Sequence, residues 1–208
     1  MALCERCVNR RRLQRRCYPS TVETSPDPTA FCVLDIETTG GLWESFPKGF
    51  ELLLTGVRRG DEYFAFTSEP ASLAQMADFF ESFSGVTVTF NGSGFDLPLL
   101  QDYTSRFLQR PLSIAQHFDI MRELEMKAGY RISLDNVSKY TFGKTKLAWD
   151  HRQNRRVWSE QPHLLVAYNR RDLDLTHELY QRVLNGQPLF LGDNTVVLSP
   201  PHRPSAAP

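Results

Sequence analysis

Residues 31–40 read FCVLDIETTG, an apolar run through Phe31, Cys32, Val33 and Leu34 that leads into two carboxylates on alternate positions, Asp35 and Glu37. No other stretch limits the fold so tightly. Such a run is a buried strand, and a buried strand ordinarily closes in a turn carrying Gly, Pro or Asn. Here the strand is expected to end at Asp35, with acid, Thr and Gly in place of the turn. Alternate positions on a strand point to the same side, so Asp35 and Glu37 become neighbours at an apolar tip. Like charges that close oppose each other's ionisation unless a cation is shared between them.

Two further acids sit where burial argues against them. Asp96, in TFNGSGFDLPLL, follows a strand and a Gly-rich turn and opens a helix among Phe95, Leu97, Leu99 and Leu100. An acid at a helix N-terminus is favourable by itself. In HLLVAYNRRDLDLTHELY, Leu165, Tyr168, Asp172, Leu175 and Leu179 recur at steps of three and four and share one helix face. Asp172 thus lies on the core-facing stripe with Tyr168 one turn before it. Asp174 falls well round the helix and is expected to be a solvated surface charge. Arg170 and Arg171 point away from Asp172, and a buried acid is costly unless paired or coordinated. A cation would resolve that cost.

Four carboxylates drawn from two strand–helix junctions and one long helix suit Mg²⁺ or Mn²⁺, hard cations with oxygen ligands. Two such ions about 3.5–4 Å apart clamp the attacking and leaving oxygens of a phosphodiester displacement.

The rest of the chain is read around these acids. Residues 1–29 form a basic, Cys-containing arm (NRRRLQRR) and a turn-rich linker, residues 30–186 the domain, and residues 187–208 a Pro-rich tail. FELLLTGVRRGDEYFAF reads as a hairpin about Gly60-Asp61. A helical pattern starts at Ser68, GVTVTF is a strand, and FDLPLLQDYTSRFL a helix that tolerates Pro98 in its first turn. A strand at QHFDI and helices through MRELEM and SLDNVSKY follow, with Asp119 and Asp135 as helix-start residues. KTKLAWDHRQNRRVWSEQ has no clean period and is expected to be a functional loop. Its Lys144, Lys146, Arg152, Arg155 and Arg156 could track a strand backbone, and Trp149 and Trp158 could stack bases or simply pack. The last helix is expected from Pro162 to Asn185, closed by Gly186. Together these elements make a mixed-sheet α/β domain.

Charge balances at 24 basic and 24 acidic residues. That neutrality neither argues for nor excludes a nucleic-acid partner, because an acidic metal site cancels basic patches in the sum. No apolar run is long enough to span a membrane and no secretory signal is evident. Cysteines at 4, 7, 17 and 32 make no secreted disulfide framework, so a reducing, cytoplasmic location is expected. Cys4, Cys7 and Cys17 are candidate zinc ligands lacking a local fourth, and free thiols in the arm are the simpler expectation.

The ordered set D-x-E, then N-G-x-G-F-D, then Y-x3-D resembles the DEDD superfamily of 3′–5′ exonucleases, and the Tyr in the third motif its DEDDy branch. Within that branch the chain looks most like free-standing or helicase-linked relatives of family B DNA polymerase proofreading domains, over about residues 31–185. The resemblance implies a ribonuclease-H-like sheet with flanking helices and two divalent cations, Mg²⁺ or Mn²⁺. By that resemblance Asp35 bridges both metals, Glu37 and Asp172 complete the tighter one, and Asp96 holds the second. Tyr168 hydrogen-bonds the attacking water, which Glu37 also orients. Thr38, Thr39 and Asn91 are the expected substrate-binding residues. These 208 residues contain no polymerase module, so proofreading in cis is not expected. The expected activity is 3′–5′ hydrolysis of single-stranded or frayed DNA ends, with a helicase or repair protein as candidate partner. An exoribonuclease and a catalytically idle binding module on the same fold are the alternatives.

Overall fold

The computed structural model describes residues 30–41 and 43–201. The basic arm, its three candidate zinc ligands and the end of the Pro-rich tail lie outside the described residues. The elements run β1 (Phe31–Thr38), β2 (Leu52–Arg59), β3 (Glu62–Phe66), α1 (Pro70–Ser82), β4 (Val86–Thr89), α2 (Asp96–Leu108), β5 (Gln116–Asp119), α3 (Ile120–Ala128), α4 (Leu134–Phe142), α5 (Asn154–Glu160), α6 (Pro162–Leu184), β6 (Leu189–Leu191) and β7 (Asn194–Val196). Five strands form one mixed sheet in the order β3-β2-β1-β4-β5. β1 pairs antiparallel with β2 and parallel with β4, and the helices cover both faces. This is the ribonuclease-H-like α/β architecture expected from the sequence. No helix among the described residues is long and apolar enough to cross a membrane.

The central place of β1 explains its apolar run, since both its faces are covered. Cys32, Leu34 and Ile36 pack with Leu73, Met76 and Phe80 of α1 and with Leu99 and Leu100 of α2. Val33 points the other way, into a second core with Leu173, Leu175, Leu179 and Val183 of α6. Asp35 and Glu37 share the parity of Val33, so the strand delivers both beneath α6. Each fully buried Leu, Ile or Val contributes about 1.5–3 kcal/mol. A one-residue slip would exchange the two faces of β1, so these cores also fix which way the acids point.

Three sequence expectations are corrected. First, β1 does not end at Asp35 but continues to Thr38, because β2 keeps pairing beside it: Asp35 faces Gly56 and Glu37 faces Leu54. The register shifts only after Glu37, where Thr38 pairs with Leu52 and Leu53 of β2 is left as the extra, bulged residue. Second, the stretch read as a loop holds a 3-10 turn (His151–Gln153) and the seven-residue α5. That helix is too short to display a period. It is tied down by Asn154, whose Nδ2 donates to the Thr38 carbonyl at 2.8 Å. Third, the chain after Gly186 does not start a tail. β6 and β7 pair as a hairpin, and Leu189, Leu191, Val196 and Leu198 are buried in the α6-side core. The packed domain therefore reaches Leu198.

Candidate active site

Three elements converge on the C-terminal tip of β1. The strand brings Asp35 and Glu37, and α6 crosses the same face with Asp172. One carboxylate oxygen from each of these three residues lies within 4.8 Å of those from the other two. Asp96, at the start of α2, stands beside them, and its Oδ1 accepts the Ile36 amide at 3.1 Å. All four line one cleft of about 350 Å³, together with Thr38, Asn91, Lys146, His151 and Tyr168. The cleft opens between β1, α2, α6 and the segment that leads into α5.

Burial sets the electrostatics of this group. Glu37 and Asp172 are each 3% exposed and Asp96 is 5% exposed. Desolvation, reinforced by Asp172, pushes Glu37 up to about 8. Desolvation also pushes Asp96 up to about 7, against backbone hydrogen bonds that include the Ile36 amide. Asp35 is held well above the usual carboxylate range by burial and by Asp172, Asp96 and Glu37. Asp172 is raised by burial and restrained by Lys146. Carboxylates this crowded resist ionising together, and a shared divalent cation removes that cost.

The partner missing from the sequence argument for Asp172 comes from the basic segment. Lys146 Nζ lies 2.5 Å from Asp172 Oδ2 and 5.1 Å from the centroid of the Tyr168 ring. Burial alone would lower the Lys146 pKa, but Asp172 and Asp35 outweigh it and hold the ammonium charged. Its main chain is fixed where Asp135 Oδ1 accepts the Lys146 amide at 2.7 Å. Asp135 thus does more than start α4. The other oxygen of Asp172, Oδ1, is buried with no hydrogen-bond partner among the described residues. An oxygen-only ligand set with an orphaned carboxylate oxygen fits Mg²⁺ or Mn²⁺ better than a metal that selects nitrogen or sulfur.

Other sequence-predicted residues divide. Thr38 and Asn91 line the cleft. Thr39 does not: it is turned into the β1–β2 connection, where its hydroxyl accepts the Glu51 amide at 3.2 Å. Trp149 stacks on Tyr168 with centroids 4.8 Å apart and donates to Asn154 Oδ1 at 2.7 Å, so it packs behind the site. Lys144 pairs with Glu178, Arg152 with Asp150 and Arg155 with Glu51, and Arg156 donates to Gln153. Of the five Lys and Arg residues named from that segment, Lys146 lines the cleft. Asp174 is not a free surface charge, since Arg58 of β2 sits 2.5 Å away. Asp119 caps α3 and also accepts the Asn91 and Ser93 amides. Sequence reasoning missed His151 as a cleft residue and Asn169 as a partner of Asp35. For Asn169 a signal existed, since it adjoins Tyr168 on the inward face of α6.

Comparisons with known proteins fit this geometry. The chain is similar in fold to the structure of the family B DNA polymerase from the hyperthermophilic archaeon Pyrobaculum calidifontis, with a TM-score of 0.64 and 20% sequence identity over 78% of this chain and 25% of that one. It therefore spans about a quarter of the polymerase chain. No curated protein matches. A family model of the RNase H superfamily matches residues 32–184, a span that holds all four carboxylates and runs from β1 to the end of α6. An acidic, oxygen-lined cleft on this fold supports nuclease chemistry. The chain belongs to the RNase H superfamily.

Proposed function

We propose that the protein is a metal-dependent 3′–5′ exonuclease of the DEDDy type that trims single-stranded or frayed DNA ends. The observation that carries this reading is the meeting of Asp35, Glu37 and Asp172 within 4.8 Å, with Tyr168 one helical turn before Asp172 in the same cleft. Asp35, Glu37 and Asp172 would hold one divalent cation, and Asp35 with Asp96 a second. Bound there, the cations would polarise the phosphodiester and supply a nucleophile at neutral pH.

The chain's own residues supply the rest. The Tyr168 phenol is 2% exposed, and burial followed by Asp172 raises its pKa. It stays protonated at neutral pH and orients the attacking water through its hydroxyl, without acting as a base. Lys146 keeps its charge beside the reacting phosphate, where the phosphate's negative charge can be met. Thr38 and Asn91 position the terminal nucleotide. Asn91 also borders a second cleft of about 330 Å³ lined by Arg122 and Arg131 together with Asp119 and Glu125. Water attacks phosphorus, the bond to the 3′ oxygen of the preceding nucleotide breaks, and that oxygen leaves as the new 3′ hydroxyl.

End-labelled DNA and RNA strands incubated with Mg²⁺ or Mn²⁺ test the reading. A 5′-labelled DNA strand should shorten stepwise while a 3′ label is released at once. Loss of the 5′ label first, cuts confined to the interior, or no cleavage with either metal would reject it. Faster cleavage of RNA would transfer the same chemistry to an exoribonuclease.

A further inference from the structure

Asn169 lies outside the motif residues, yet it is fully buried and its side-chain amide is satisfied at both ends. Its Nδ2 donates to Asp35 Oδ2 at 2.7 Å and lies 3.4 Å from the Asp35 main-chain oxygen. Its Oδ1 accepts the Tyr63 hydroxyl, 3.0 Å away on β3. The ionised carboxylate, the form that would bind a cation, only accepts, so an amide that serves it turns its NH₂ toward Asp35, where Nδ2 is placed. Its carbonyl then faces Tyr63, whose hydroxyl donates and locks that orientation. The Tyr63 ring is covered in turn by Arg170, 5.6 Å from its centroid.

The backbone of β2 makes room for this arrangement. Gly56 pairs with Asp35 in the sheet, and a Cβ there would sit 1.8 Å from Asn169 Oδ1. Any side chain at position 56 would push the amide away. Glycine in a central strand otherwise costs stability, so its presence marks a close approach.

We infer that Asn169, locked by Tyr63 and admitted by Gly56, is a positioning residue that fixes the Asp35 carboxylate for metal binding. The inference rests on the metal-site reading of the proposed function. Holding Oδ2 restricts rotation of the Asp35 side chain, and with it the way the carboxylate is presented to Glu37 and Asp172. Groups that orient a metal ligand in this way typically change metal affinity by about 10–100-fold when removed.

Mn²⁺ affinity of the full chain, read from the paramagnetic signal of free Mn²⁺, tests it together with thermal melts in chelator. Asn169→Ala should weaken Mn²⁺ binding about 10–100-fold, Gly56→Ala should match it, and Tyr63→Phe should weaken binding by a smaller factor. A purely structural amide would lower the chelator melting temperature and leave the Mn²⁺ affinity of the folded variant unchanged. Affinity within about twofold of wild type in folded Asn169→Ala would overturn the inference. If Asn169→Ala fails to fold, unchanged affinity in Tyr63→Phe overturns it instead. Wild type that binds no Mn²⁺, or that binds no better than Asp35→Ala, would sink the metal site itself and this inference with it.

Discussion

Asp172 and Asp174 are separated by one residue on α6 and live in different worlds. Asp172 is buried at the cleft, with one oxygen on Lys146 and the other without a hydrogen-bond partner among the described residues. Asp174 is about 200° round the helix axis and pairs with Arg58 at the partly exposed flank of β2. Asp172→Asn keeps the shape but removes a ligand charge, so turnover should fall by several orders of magnitude, several kcal/mol of barrier. Asp174→Asn should leave turnover near wild type and cost within about 1 kcal/mol of stability, as partly exposed ion pairs do. Steady-state rates and denaturant melts of the two variants check this. An essential Asp174 beside a dispensable Asp172 would mean that α6 presents the wrong face to the cleft.

Elements with a strong period were legible in the sequence. The stripe Leu165, Tyr168, Asp172, Leu175, Leu179 placed the inward face of α6, and the alternation after Phe31 put Asp35 and Glu37 on one side. What was not legible depended on tertiary contacts. The seven-residue α5 has no period to read, and its anchors, Asn154 on Thr38 and Trp149 on Tyr168, lie far apart in sequence. Lys146 looked like a strand-tracking cation because nothing local shows that the segment folds back onto Asp172. The β6–β7 hairpin was hidden by short strands followed by the Pro-rich end. Its burial yields a deletion test. A chain ending after Gly186 loses buried Leu189, Leu191, Val196 and Leu198, at about 1.5–3 kcal/mol each. That equals much of a small domain's total of about 5–15 kcal/mol. It should melt far lower or fail to fold, whereas a chain ending at Pro201 should melt like the full chain. Equal melting of all three would show that the hairpin is not part of the core.

For the molecule as a whole, the acidic cluster ties stability to pH and to metal. Glu37 titrates at about 8 in the folded metal-free protein and near its ordinary value of about 4.5 when unfolded. Between those values the folded state holds a proton that the unfolded state has lost, so stability falls as pH rises. Wild type in chelator should therefore lose melting temperature relative to Glu37→Gln from pH 5 to pH 8. A difference that stays flat or grows in favour of wild type would contradict the buried, raised carboxylate. Saturating Mn²⁺ should reverse the trend, because a ligand that binds only the folded state stabilises it and does so best when its carboxylates are ionised. Anomalous diffraction from crystals soaked in Mn²⁺ tests the metal centre most directly. Manganese peaks should appear within coordinating distance of Asp35, Glu37 and Asp172 in wild type and be absent there in Asp35→Ala. Saturating Mn²⁺ that leaves the cluster empty, or binds only elsewhere on the surface, would contradict the claim that these carboxylates form the metal centre of a nuclease.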